Sequence, residues 1–180
     1  YDHAYADFQK ATEYFPESGR AWSGLAQIDF HNFQFDTALS ALEKAVETMP
    51  DHIGTWHLLA WTYLMKNDLA SARSAFESAF ELDRNFGETH GGLASIYALE
   101  GDLDRAEKHV KLAERLDPTG FSAIYARMVM LNKQGKSQEA QALFEQAKNT
   151  PNAALGTAPQ TLIEQRIAEL TQAHQDKNTL

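Results

Sequence analysis

The chain has 180 residues, a formal net charge of −9, 43% hydrophobic and 11% aromatic residues, and no cysteine. That length and apolar content support one ordinary domain or several small repeating units, and argue against a disordered tail. The acidic balance excludes a nucleic-acid binder, which needs a basic face for phosphate, and the missing thiols exclude disulfides, thiolate catalysis and cysteine metal sites.

The elements follow a period of 34, seen in Trp22 and Trp56, Leu25 and Leu59, and Ala38 and Ala72. At the start, Ala4, Phe8, Ala11 and Pro16 have the spacing of the second helix of a hairpin whose first helix is missing, so 1–18 reads as half a unit. The simplest explanation is a piece of a longer chain, which also fits a sequence that does not begin with methionine; the alternative is an edge that pairs with a second copy. Unit 19–52 carries Trp22, Leu25, Ala38, Leu42, Ala45 and Pro50, and unit 53–86 carries Trp56, Leu59, Ala60, Tyr63, Ala72, Phe76 and Ala79. Within the latter, Trp56, Leu59, Ala60 and Tyr63 recur at i, i+3, i+4 and i+7, one stripe of an α-helix. Unit 87–120 puts His90 in the tryptophan column and keeps Leu93, Ala94, Tyr97, Ala106, Val110, Ala113 and Pro118. Unit 121–152 is irregular in its first helix, with Ile124, Arg127 and Met128, but regular in its second, with Ala140, Phe144 and Ala147.

Short links separate the helices of each unit. Asp68 and Asp102 are expected N-caps, Gly101 and Gly135 suit left-handed helix ends, and Asn85 with Glu88 has capping-box spacing. "NTPNAALGTAP" then forms a link, followed over 160–175 by an amphipathic stripe of Leu162, Ile163, Ile167 and Leu170. Segment 153–180 is thus expected to close the array with a capping helix, ending in frayed residues.

These columns resemble the tetratricopeptide repeat family over roughly residues 4–152. The resemblance implies an all-α, right-handed superhelix of helical hairpins and a job in protein–protein binding. It also implies that the flank of each first helix away from its own hairpin lines a concave groove. Placed at 100° intervals, His57, Trp61, Leu64 and Met65 fall on that flank in the second unit, where an ordinary surface helix would be polar. The expected lining is Phe30, His31, His57, Trp61, Met65, Gly91, Ser95, Leu99, Tyr125 and Val129. The paired glycines Gly91 and Gly92 would deepen a hollow beside Trp61 for an apolar or amphipathic peptide segment. Family members that clamp a terminal carboxylate use lysine, arginine and asparagine where this chain has Ser23, Gln27, Leu58, Glu88 and Gly92. Members with an asparagine ladder need asparagine where this chain has Gly24, Leu58, Gly92 and Ala126. Neither device is expected here.

Catalytic readings fail on spacing. "GKS" at 135–137 lacks the first P-loop glycine, Met130 standing in its place, and it joins two helices. "HGG" at 90–92 has no G-x-S-x-G partner for a lipase-like site. The seven histidines contain no H-E-x-x-H and no i, i+4 pair, so no metal is expected. His3, His52, His109 and His174 read as solvated or capping, His90 as a packed core histidine, and His31 with His57 as a remote two-histidine alternative. Glu43, Glu47, Glu77 and Glu81 read as a solvated face. The expectation is a non-catalytic scaffold, adaptor or chaperone-like module without cofactor, resembling bacterial chaperones that hold a client segment. Its partner would be a protein or peptide, with no nucleic acid and no membrane span. The alternative is a structural solenoid that spaces or dimerises a larger protein through its N-terminal edge. The cytoplasm is favoured as compartment, with the periplasm also allowed.

Overall fold

The computed structural model describes residues 2–148. Every regular element among them is a helix: α1 (Asp2–Tyr14), α2 (Gly19–His31), α3 (Phe35–Thr48), α4 (Ile53–Met65), α5 (Leu69–Leu82), α6 (Gly87–Glu100), α7 (Leu103–Leu116), α8 (Phe121–Lys133) and α9 (Ser137–Lys148). The chain divides into two compact units, Tyr1–Asp83 with α1–α5 and Arg84–Leu180 with α6–α9. The fold class is the all-α helical repeat expected from the columns. The expected link and capping helix at 153–180 lie outside the described residues. No helix among the described residues is long and apolar enough to cross a membrane.

The helix ends follow local chemistry. Asp68 and Asp102 cap α5 and α7, each carboxylate accepting from the amide three residues on, Ser71 and Arg105. Such a cap satisfies one of the amides that a helix start leaves open. His52 caps α4, its Nδ1 accepting the Thr55 N–H at 3.2 Å. The N-cap of α6 is Phe86, one residue after the Asn85 expected there, because α6 starts at Gly87. Phe86 caps through its main chain, without a side-chain bond, and Glu88 accepts from Ser122 Oγ at 3.0 Å. The hairpin turns repeat one left-handed position, filled by Gly101 (φ 87°) and Gly135 (φ 78°) as expected, but by Asn67 (φ 62°) and Phe33 (φ 62°) in the first unit.

Packing follows the columns. Leu42, Phe76, Val110 and Phe144 are buried, and so are the alanine pairs Ala38/Ala45, Ala72/Ala79, Ala106/Ala113 and Ala140/Ala147. The bulky side chain supplies apolar area, worth about 1.5–3 kcal/mol when fully buried, while the alanines let the neighbouring helix approach. Trp22 and Trp56 each donate the indole N–H to a main-chain carbonyl six residues back, Pro16 O and Pro50 O, at 2.7 Å. His90 does the same job in its column, with Nε2 2.9 Å from Arg84 O.

Within each compact unit, polar contacts key a first helix to the second helix before it. Tyr63 O–H donates to Glu43 Oε1 at 3.0 Å, joining α4 to α3. Where Asp29 replaces the tyrosine, the phenol comes from the other side. Tyr5 of α1 sits beside Asp29, and burial first, then the Asp29 charge and hydrogen bonding, raise its pKa. In unit 121–152 the leucine column holds Arg127, which reaches back to α7. Its Nη1 donates to Glu107 Oε2 at 2.6 Å and its Nε to Glu114 Oε1 at 2.8 Å. The irregular helix is therefore anchored by an ion cluster in place of an apolar contact.

Candidate interaction surface

In the first unit, the open flank of α2 borders a hollow of about 720 Å³ lined by Phe8, Arg20, Ser23, Gly24, Gln27, Met49, Asp51 and His52. Gly24 creates part of it. A Cβ there would lie 2.5 Å from the Phe8 ring, so glycine is what lets α1 seat its phenylalanine on α2. Phe8 and Met49 give the hollow apolar surface. Arg20 and Gln27 are exposed, while Ser23 is half-buried. His52 is oriented by its cap, because Nδ1 is engaged with Thr55. The site offers a shallow apolar patch flanked by hydrogen-bonding groups of both charge signs.

The residues expected to line an aromatic groove are placed otherwise. Phe30 is fully buried in the first unit, edge-on to Phe35 with ring centroids 5.7 Å apart. Trp61 is 1% exposed, its indole edge-on to Phe76 at 5.8 Å, and His57 is buried against the same ring at 5.9 Å. Phe76 of α5 thus reaches the flank of α4 that a single-helix projection leaves open. Burial alone lowers the His57 pKa to about 4, keeping the ring neutral. Of the first-unit set, His31 is exposed and Met65 half-buried.

In the second unit, Gly91, Ser95, Tyr125 and Val129 are buried, and Leu99 is half-buried. Tyr125 stacks on Phe121 at 6.2 Å, and Ser95 Oγ donates to Gly91 O at 2.9 Å. Gly91 opens no hollow. A Cβ on it would lie 2.1 Å from Ser122 Oγ and 2.7 Å from the Ala123 amide nitrogen, so the glycine admits the α8 main chain. Phe30, His57, Trp61, Gly91, Ser95, Tyr125 and Val129 therefore do not present open surface, and the accessible members of the expected lining are His31, Met65 and Leu99.

Sequence reasoning missed one arrangement. His109, expected to be solvated, faces His90 with the two Nδ1 atoms 3.1 Å apart. No group of three or more histidine, aspartate or glutamate side chains that could hold a metal ion occurs among the described residues.

The comparisons agree on the kind of protein. The tetratricopeptide repeat pattern matches residues 17–85 and, in a second form, residues 63–128. No curated protein matches the sequence. The structure of MamA superposes with a TM-score of 0.66 at 17% identity, covering 93% of this chain and 91% of that one. A thermophilic repeat protein of Thermus thermophilus gives 0.66 at 23% identity, covering 94% and 90%. YrrB, described as having an unusual peptide-binding site, gives 0.62 at 20% identity, covering 92% and 82%.

Proposed function

Because the chain belongs to the tetratricopeptide repeat family, we propose that it is a non-catalytic module that takes a segment of a partner protein, and that the hollow beside α2 receives it. The observation that carries this reading is the hollow itself, since the aromatic flanks of α4 and α8 are closed. Its lining suits an extended or helical segment that places one apolar side chain on Phe8 and Met49 and hydrogen-bonds to Arg20, Ser23 and Gln27. That a repeat protein of similar fold is described by its peptide-binding site supports the reading. Trp61 and Tyr125 would reach a partner only after being uncovered.

The test is selection of peptides from a displayed library against the full chain, followed by titration calorimetry. A selected peptide should lose at least about tenfold in affinity, or about 1.4 kcal/mol, when Ser23→Trp fills the hollow, with helicity unchanged. Peptides that bind the filled variant equally well would refute the placement.

One observation favours a second reading, self-association through α1: Tyr14 and Phe15 are 76% and 68% exposed, side by side. Sedimentation equilibrium decides it. A concentration-dependent dimer that Tyr14→Ser/Phe15→Ser abolishes would favour that edge.

A further inference from the structure

The third repeat carries two histidines where the two repeats before it carry a tryptophan and an alanine and the fourth carries Ile124 and Leu143. Trp22 and Ala41 in the first repeat, and Trp56 and Ala75 in the second, stand at the positions of His90 and His109 in the third. One large and one small side chain have become two of middle size, and both are titratable. Both columns change in the same repeat, and the two rings meet.

Their protons can be assigned from the contacts. The Arg84 carbonyl can only accept, so His90 carries its proton on Nε2 and donates to it at 2.9 Å. His90 Nδ1 is then a bare acceptor, and the nitrogen 3.1 Å away, His109 Nδ1, must donate to it. With ring centroids 5.3 Å apart, the nitrogens meet nearly head-on. Those distances suit an N–H···N bond, and no third histidine, aspartate or glutamate joins the pair to hold a metal ion among the described residues. Tyr97 of α6 also packs against His109, with ring centroids 5.4 Å apart.

We propose that the His90–His109 contact is a proton-sensitive latch between α6 and α7, closed while a single proton lies between the two Nδ1 atoms and forced apart when both rings become cations. One added proton is tolerated by the pair, because a single proton still lies between the two Nδ1 atoms. A second would place two N–H groups and two positive charges head to head. The surroundings reinforce this. Burial, the His90 charge and the Arg105 charge on α7 together lower the His109 pKa to about 4. Arg105 is itself paired with Asp102, Nε to Oδ2 at 2.6 Å. From α8, Arg127 is engaged with Glu107 and Glu114. The folded pair therefore holds one proton fewer than the unfolded chain in acid, and the latch weakens as pH falls below about 6.5, the ordinary histidine value.

His90→Trp/His109→Ala restores the pair found in the two preceding repeats and provides a folded comparison. Urea unfolding of the full chain would be followed from pH 7.5 to 4.5. The wild-type unfolding constant should rise about tenfold per pH unit more steeply than that of the double variant once pH is below about 6. The slope from His57 is common to both proteins and cancels. Equal slopes would overturn the proposal. Nitrogen-15 NMR of the wild type gives a check that needs no variant: at neutral pH, His90 should be the Nε2–H tautomer and His109 the Nδ1–H tautomer. Any other assignment overturns it. So would micromolar Zn²⁺ or Ni²⁺ binding that is lost in His109→Ala, which would make the pair a metal site.

Discussion

Gly91→Ala sets helix propensity directly against packing. In an exposed helix the change would stabilise by about 1 kcal/mol, because alanine loses less backbone freedom than glycine on folding. At this position the new methyl would sit 2.1 Å from Ser122 Oγ, 2.5 Å from its Cβ and 2.7 Å from the Ala123 amide nitrogen. The hydroxyl could rotate away, at the expense of its bond to Glu88. The amide nitrogen is main chain and moves only if α8 moves. Overpacking of this kind costs about 1–3 kcal/mol, and the lost bond about 1 more. Packing should win, leaving a net destabilisation of about 2 kcal/mol. Gly54→Ala is the control. Gly54 is exposed in α4, and its added Cβ would meet only the His52 ring, at 3.2 Å. That variant should be neutral or gain up to about 1 kcal/mol. Urea titrations monitored by helical circular dichroism give both values. If Gly91→Ala proves as stable as the wild type, the close approach of α6 to α8 is wrong.

Phe33 occupies the left-handed turn position that glycine fills in two later repeats and is 45% exposed. Phe33→Gly should therefore raise stability by about 1 kcal/mol, read as a higher urea midpoint. Arg127→Leu restores the repeat pattern but leaves Glu107 and Glu114 facing each other. With the Arg127 side chain 31% exposed, the expected loss is about 1 kcal/mol, since solvent screens the cluster. The difference should shrink in about 1 M salt, where the Debye length is near 3 Å. His57 is neutral when folded, with a pKa of about 4. Below about 6.5 the unfolded chain takes a proton that the folded chain refuses, so stability is complete above that pH and falls until about 4, by up to about 3 kcal/mol. His57→Leu should flatten that part of the stability–pH curve, as measured by unfolding at fixed pH values.

The repeat architecture was legible because the core is written in columns. The same alanine and bulky positions recur every 34 residues, and each is buried in the structure. Caps at Asp68 and Asp102 were equally plain, since they depend on neighbours three residues away. The surface was not legible. Projecting α4 as an isolated helix shows which side chains face away from its hairpin stripe, but not that Phe76 is long enough to cover Trp61 and His57. Gly91 was misread for a related reason, because the main chain that crowds it belongs to the next repeat. The histidine pair did leave a signal, the appearance of histidine at both positions 90 and 109, columns that hold tryptophan and alanine in the two preceding repeats.

The polar keys between helices make the repeats serially addressed. If residues 19–52 were copied head to tail, the second Asp29 would take the place held by Tyr63 and meet Glu43 of the first copy. Two carboxylates would then confront each other where a phenol now donates, and the tyrosine that answers Asp29 would be replaced by Leu39. Modules that look interchangeable by their apolar columns therefore have a fixed order. Shuffled or duplicated versions of this chain would have to recode those acidic and phenolic positions before the seams could close.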